Sequence, residues 1–180
     1  MTAHLWSDAG GYIELKVIPP LPSEVTLTDE FLIGAYGGAA NVVTVAAYNA
    51  ESPSLAIAGF SSRGPLVNYE GIGPHPVQKP DIAGPGVSVN AAASREVHPK
   101  KKRRKRAAQG AQKNGTSMAC PHVAGVVALM LENNPALTST QIVNILRDHG
   151  RTPLEPSETE DELGQGRVDA KLAFDKALTP

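Results

Sequence analysis

The apolar positions of this chain fall into several distinct patterns. Tyr12-Ile13-Glu14-Leu15-Lys16-Val17-Ile18 alternates polar with apolar residues, the period-two signature of a strand with one wet face. Pro19, Pro20 and Pro22 end it, and Val25-Thr26-Leu27-Thr28 offers a second short strand. Asn41 to Ala47 is instead almost continuously apolar and rich in β-branched residues, as a strand covered on both faces would be. Residues 55–60 and 86–91 are two shorter strand candidates. Between them lies an irregular stretch holding Pro65, Pro74, Pro76, Pro80 and Pro85.

From Met118 to Leu131 the chain is apolar all round, which predicts a helix buried in the centre of a domain. Pro121 is tolerated only close to a helix start, so the helix should begin near Thr116 or Ser117. Gly115 supplies the tight approach, and Asn133-Asn134-Pro135 supplies the stop. Thr138 followed three residues on by Gln141 is a capping box. Ile142, Ile145 and Leu146 then make one apolar stripe of a surface helix, ended by Gly150. Gly164 to Val168 reads as a turn into a short strand or helix. A last helix over 169–178 should turn Leu172 and Phe174 inward. Strands mixed with helices, one of the strands continuously apolar, predict an α/β fold with a mostly parallel sheet. No internal repeat is visible.

At 180 residues the chain has room for one domain, and with three Phe, four Tyr and one Trp its core must rest on Ala, Val, Ile and Leu. One cysteine excludes an internal disulfide framework. The longest apolar stretch is too short to span a bilayer, and Met1 to Asp8 lacks the layout of a signal peptide, so no export signal is expected in the chain as given. The net charge of −1 conceals an asymmetry. Lys100 to Arg106 holds seven of the 17 cations, which leaves ten against 18 acidic residues elsewhere, a net of −8. Seven adjacent like charges repel one another and stay solvated, so 100–106 is expected to be a loop. It offers a contact for nucleic acid or another polyanion, a localisation patch or a contact for acidic substrate; otherwise it is simply an exposed loop. No aromatic residue interrupts the run, which weakens the case for stacking on single strands. Glu158, Glu160, Asp161 and Glu162 form an acidic counterpart, also expected between elements.

Asn114-Gly115-Thr116-Ser117-Met118-Ala119-Cys120-Pro121-His122-Val123-Ala124-Gly125 resembles the nucleophile segment of the subtilisin-like serine proteases, the subtilases. Three further segments resemble that family in its own order: Phe60 to Pro65, Lys79-Pro80-Asp81 with Pro85-Gly86-Val87, and Gly164 to Ala170. The resemblance spans residues 41–178. It implies a three-layer subtilisin-like α/β fold, with 34–180 as the C-terminal half of a catalytic domain. Residues 1–33 would be the tail of a β-rich insertion. It also implies a serine endopeptidase acting on peptide or protein substrates, with Ser117 as nucleophile and its N–H as an oxyanion donor. The family is often secreted. A serine at a helix start also suits a plain N-cap, the alternative role for Ser117.

Other residues of the motif read as structural. His122 lies five positions beyond Ser117, roughly 140° round the helix axis. It matches a structural family position rather than the general base. Cys120 reads as a small buried hydrophobe and Asp81 as a turn residue before Pro-Gly. Asn114-Gly115-Thr116 fits a glycosylation sequon, but a site packed at a helix start is a poor acceptor.

A subtilisin triad runs Asp, His, Ser along the chain, so its first two members should precede Ser117. No Asp-Thr/Ser-Gly follows a buried strand, and no His opens a His-Gly-Thr. Asp8-Ala9-Gly10 is a superficial echo; His4, His75 and His98 have the wrong surroundings, and His149 follows Ser117. Asn41 opens a strand and does not take the family's oxyanion Asn role. Three expectations follow: a fragment of a complete protease, one part of a split enzyme whose Asp and His come from another chain, or a remnant that binds or scaffolds through 100–106. Substrate-binding residues are not readable, and the sequence names no metal and no cofactor.

Overall fold

The structure, a computed structural model, describes residues 2–6, 12–16, 33, 35–39, 42–65, 78–92 and 110–179. The strand candidate 25–28, Asp8, Asn41, His75, His98 and the basic run 100–106 lie outside these residues.

Its centre is a four-stranded sheet of β3 (Val45–Tyr48), β4 (Ile82–Pro85), β8 (Arg167–Val168) and β7 (Arg151–Thr152), in the order β3-β4-β8-β7. β3 pairs parallel with β4 and β4 parallel with β8, while β7 closes the edge antiparallel to β8. Two further antiparallel pairs form separate two-stranded sheets: β1 (Thr2–Trp6) with β2 (Tyr12–Lys16), and β5 (Val89–Ala92) with β6 (Gly110–Lys113). The helices are α1 (Thr116–Asn133), α2 (Ser139–Asp148), α3 (Glu160–Leu163) and α4 (Ala170–Ala177). Parallel strands covered by helices make this the α/β fold expected.

Period-two alternation divides the sheet into two cores. Val45 and Ile82 face a cluster of Val123, Val126 and Met130 from α1, Ile142, Ile145 and Leu146 from α2, and Ala173 and Ala177 from α4. Ala46 and Ala83 face the opposite side, against Leu163, with Tyr48, Ile57 and Leu154 packed around them. Small residues bring α1 onto the sheet. A Cβ at Gly84 would stand 2.9 Å from the Ala119 carbonyl oxygen, so only glycine admits the helix backbone there.

Buried charge locks the strand ends. The Asp81 carboxylate accepts the Thr44 N–H at 2.7 Å and the Lys79 ammonium at 2.6 Å, and Arg147 of α2 approaches its other oxygen at 3.7 Å. Asp81 is thus structural, as expected, and both it and Lys79 are buried. On the far face Arg167, also buried, forms a two-pronged pair with Glu158, donates to the Leu55 carbonyl and stacks 5.6 Å from the Tyr48 ring centre. The guanidinium holds the Glu158 carboxyl below its ordinary range, while burial pushes the Tyr48 hydroxyl up.

Several expectations change. The strand foreseen over 41–47 forms at Val45–Tyr48, and Val42 is exposed. Residues 55–60 form no strand: Leu55 turns to a φ of 48°, and the segment contributes one isolated bridge, Tyr48 to Ile57. The candidate 86–91 divides, since β4 ends at Pro85 and β5 begins at Val89. The acidic run is partly helical: it forms α3, and three of its four side chains have partners. Glu162 pairs with Arg63 at 3.2 Å, Asp161 accepts from Gln78, and Glu158 takes Arg167. Leu172 and Phe174 point outward, while Ala173 and Ala177 are buried. The Asn133 and Asn134 side chains donate to the Phe174 and Ala177 carbonyls, a closeness that favours alanine on that face.

Candidate active site

Ser117 sits in the first turn of α1, solvent-exposed. The helix begins at Thr116, as the Pro121 argument requires, although Pro121 itself stands in the second turn. Having no N–H, Pro121 denies the Ser117 carbonyl its usual helical donor. The N-cap is Gly115, with φ 150° and ψ 157°, backbone space that glycine alone occupies readily, and no side chain caps the helix. Ser117 is therefore not a capping serine, and its hydroxyl is not used to hold the helix. The third and fourth helical amides, those of Met118 and Ala119, both bond to the Gly115 carbonyl. Among the described residues those of Thr116 and Ser117 have no acceptor. Unpaired amides beside an exposed hydroxyl, at the positive end of an 18-residue helix, form a site that favours developing negative charge.

The turn that delivers Ser117 is held by the end of β4. The Gly115 amide donates to the Gly86 carbonyl at 2.9 Å, and the Gly86 amide donates to Tyr48 of β3 at 3.0 Å. A Cβ at Gly86 would lie 2.6 Å from the Ala47 Cβ.

His122 is exposed, and its Nδ1–H donates to the Met118 carbonyl at 2.8 Å, a bond within its own helix. Cys120 is also exposed, contrary to the expectation of burial. The reason is that α1 buries one face only: Ala119, Val123, Val126 and Met130 pack on the sheet, while Ala124, Gly125, Ala128 and Leu129 are open. The helix foreseen as centrally buried has a bare apolar side within these residues. His149, at the C-cap of α2, is exposed and belongs to a different part of the fold. Among the described residues no helix is long and apolar enough to cross a membrane.

The description of the subtilase family matches residues 26–166. The chain belongs to the subtilase family. Among curated relatives, the subtilisin-like protease SBT4.8 of Arabidopsis thaliana is 36% identical over 140 residues, which are 75% of this chain and 19% of the relative. The serine protease AprX of Bacillus subtilis is 34% identical over 149 residues, 79% of this chain and 32% of its own. The chain thus spans about a fifth to a third of the curated relatives it matches. Among solved structures, the CspB protease of Clostridium perfringens superposes with a TM-score of 0.64 at 24% identity, covering 84% of this chain and 30% of that one. Fervidolysin of Fervidobacterium pennivorans, a keratinolytic enzyme related to subtilisin, superposes with a TM-score of 0.58 at 26% identity, covering 75% and 19%. The subtilisin-like fold foreseen from the four motif segments is the fold of this segment.

Proposed function

We propose that residues 34–180 are the nucleophile-bearing, C-terminal half of a subtilase catalytic domain, and that Ser117 forms the acyl-enzyme in peptide-bond hydrolysis. The Ser117 oxygen attacks the scissile carbonyl carbon, and a histidine from polypeptide outside these residues takes its proton, oriented by an aspartate of the same origin. The Ser117 N–H donates to the resulting oxyanion, a contribution of about 2.7–4 kcal/mol to the transition state. The proton passes to the leaving amine, the C–N bond breaks, and water then releases the acyl group. One observation carries this reading: the Ser117 hydroxyl is exposed and uninvolved in capping, beside its own unpaired amide at a helix N-terminus.

A fluorophosphonate probe applied to the full-length or reconstituted protein tests it. Ser117 should be the labelled residue, and Ser117→Ala should abolish both labelling and peptidase activity. Labelling or activity that survives in Ser117→Ala overturns the reading.

A further inference from the structure

The residue just before β5 carries a conformation that its sequence does not favour. Ser88 has a φ of 55°, in the left-handed region that side chains other than glycine, Asn and Asp rarely adopt. Both of its backbone polar groups are held from the strand that leads to Ser117. Its N–H donates to the Asn114 Oδ1 at 2.6 Å, and its carbonyl accepts from the Gln112 Nε2 at 3.1 Å. Two side chains on one side of the β6 line, two residues apart, thus grip the same residue from both ends. One residue further on, Gly115 bonds to Gly86. The chain entering α1 is therefore tied to the 86–88 turn at three points, residues 112, 114 and 115, and Ser117 follows two residues after the last of them.

Neither Gln112 nor Asn114 is buried, so neither is there to fill a core. What they fix is direction. Val89 pairs with Lys113 in the hairpin register, and without the clamp nothing in the ladder beyond that pair holds Asn114 to the turn. A left-handed Ser88 left to itself relaxes toward the common φ range, and Gly86 and Ser88 would then re-aim the Gly115 turn.

We propose that Asn114, seconded by Gln112, is a positioning residue for Ser117: it holds Ser88 left-handed and so sets the angle at which the nucleophile turn enters α1. This rests on Ser117 acting as the nucleophile. The test uses the full-length protein and a fluorophosphonate probe, with the acylation rate constant at saturation separated from probe affinity. Asn114→Ala should lower the rate constant about tenfold with affinity changed less than about twofold, because misplacement of a reacting atom acts on the chemical step. Gln112→Ala should lower it about threefold, in the same way. Glycine adopts the left-handed conformation without penalty, so Asn114→Ala in a Ser88→Gly background should recover to within about threefold of the parent. An unchanged rate constant in Asn114→Ala overturns the proposal, as does a loss that Ser88→Gly fails to relieve. If the parent protein takes no label, the nucleophile reading fails by itself. The clamp is then judged by amide hydrogen exchange: exchange at Gly115 should rise about tenfold in Asn114→Ala while the α2 amides are unchanged. Equal exchange in the two proteins overturns it.

Discussion

The Gly115 amide donates to the Gly86 carbonyl oxygen at 2.9 Å, so the turn that delivers Ser117 is suspended from the residue that follows β4. This approach depends on Gly86 having no side chain. A Cβ there would meet the Ala47 Cβ at 2.6 Å and the Gly115 carbonyl oxygen at 3.0 Å, both on backbone or rigid neighbours that cannot swing away. Gly86→Ala should therefore destabilise the fold by about 1–3 kcal/mol, the usual cost of overpacking, and should slow labelling of Ser117 as well. Chemical denaturation checks the first part. A variant as stable as its parent would mean that the two backbones are not in contact.

A second prediction concerns acid. Arg167 holds the Glu158 carboxyl below its ordinary value of 4.5, chiefly through its hydrogen bond, with the Glu155 amide and then charge attraction adding to it against the opposing effect of burial. A carboxylate with a lowered folded-state value contributes stability that is fully present above the unfolded value. That contribution is lost as pH falls below about 4.5 and on through the folded value. Glu158→Gln should flatten this part of the stability-versus-pH curve while leaving the neutral range with a smaller, constant deficit. Arg167→Ala should be worse at neutral pH, by about 3–5 kcal/mol, because it strands Glu158 and unties the Leu55 carbonyl together. Denaturation midpoints between pH 7 and pH 3 check both, and an unaltered acid slope in Glu158→Gln would remove the pair from the account.

How far the sequence could be read depended on which interactions set each element. α2 was legible because local rules determine it: Thr138 and Gln141 cap each other, and Ile142, Ile145 and Leu146 fall on one face. Ser117 was legible as a helix-start serine because Pro121 bounds where α1 can begin. α4 was misread because size was taken as the guide to burial. Its inward face is Ala173 and Ala177, where the close approach of α1 excludes Leu172 and Phe174, and nothing local reports that approach. The exposed side of α1 was misread for a related reason, since apolar composition marks a face that can be buried and these residues cover only half of it. Gln112 and Asn114 carried little signal of their own, lying in an unbroken polar run, Gln112-Lys113-Asn114, that leads into the nucleophile motif. Their shared partner Ser88 is 24 to 26 residues away and could not be paired with them from sequence.

The capping box provides a direct test of the local part. The Thr138 hydroxyl accepts the Gln141 amide at 3.3 Å, and the Gln141 side chain accepts the Thr138 amide at 2.9 Å. Thr138→Ala should cost about 1 kcal/mol, read as a lower thermal midpoint with the denaturant slope unchanged. A loss well above that would mean that Thr138 does more than cap α2.

Two glycines, one in the sheet against α1 and one on the open face of α1, should respond to alanine with opposite sign. At Gly84 a Cβ would stand 2.9 Å from the Ala119 carbonyl oxygen, so Gly84→Ala must push α1 off the sheet and lose stability. At Gly125, in the middle of α1, a Cβ meets nothing within 4 Å. Glycine in a helix interior costs roughly 0.8–1 kcal/mol relative to alanine, and here no contact among the described residues requires it. Gly125→Ala should therefore stabilise the 180-residue chain by up to about that amount, measured in the same denaturation experiment. The sign is informative beyond the helix itself. If Gly125→Ala stabilises this chain but destabilises a longer protein that contains it, polypeptide from outside these residues lies against α1 at Gly125. The open face of Ala124, Gly125, Ala128 and Leu129 would then be where the rest of the domain docks.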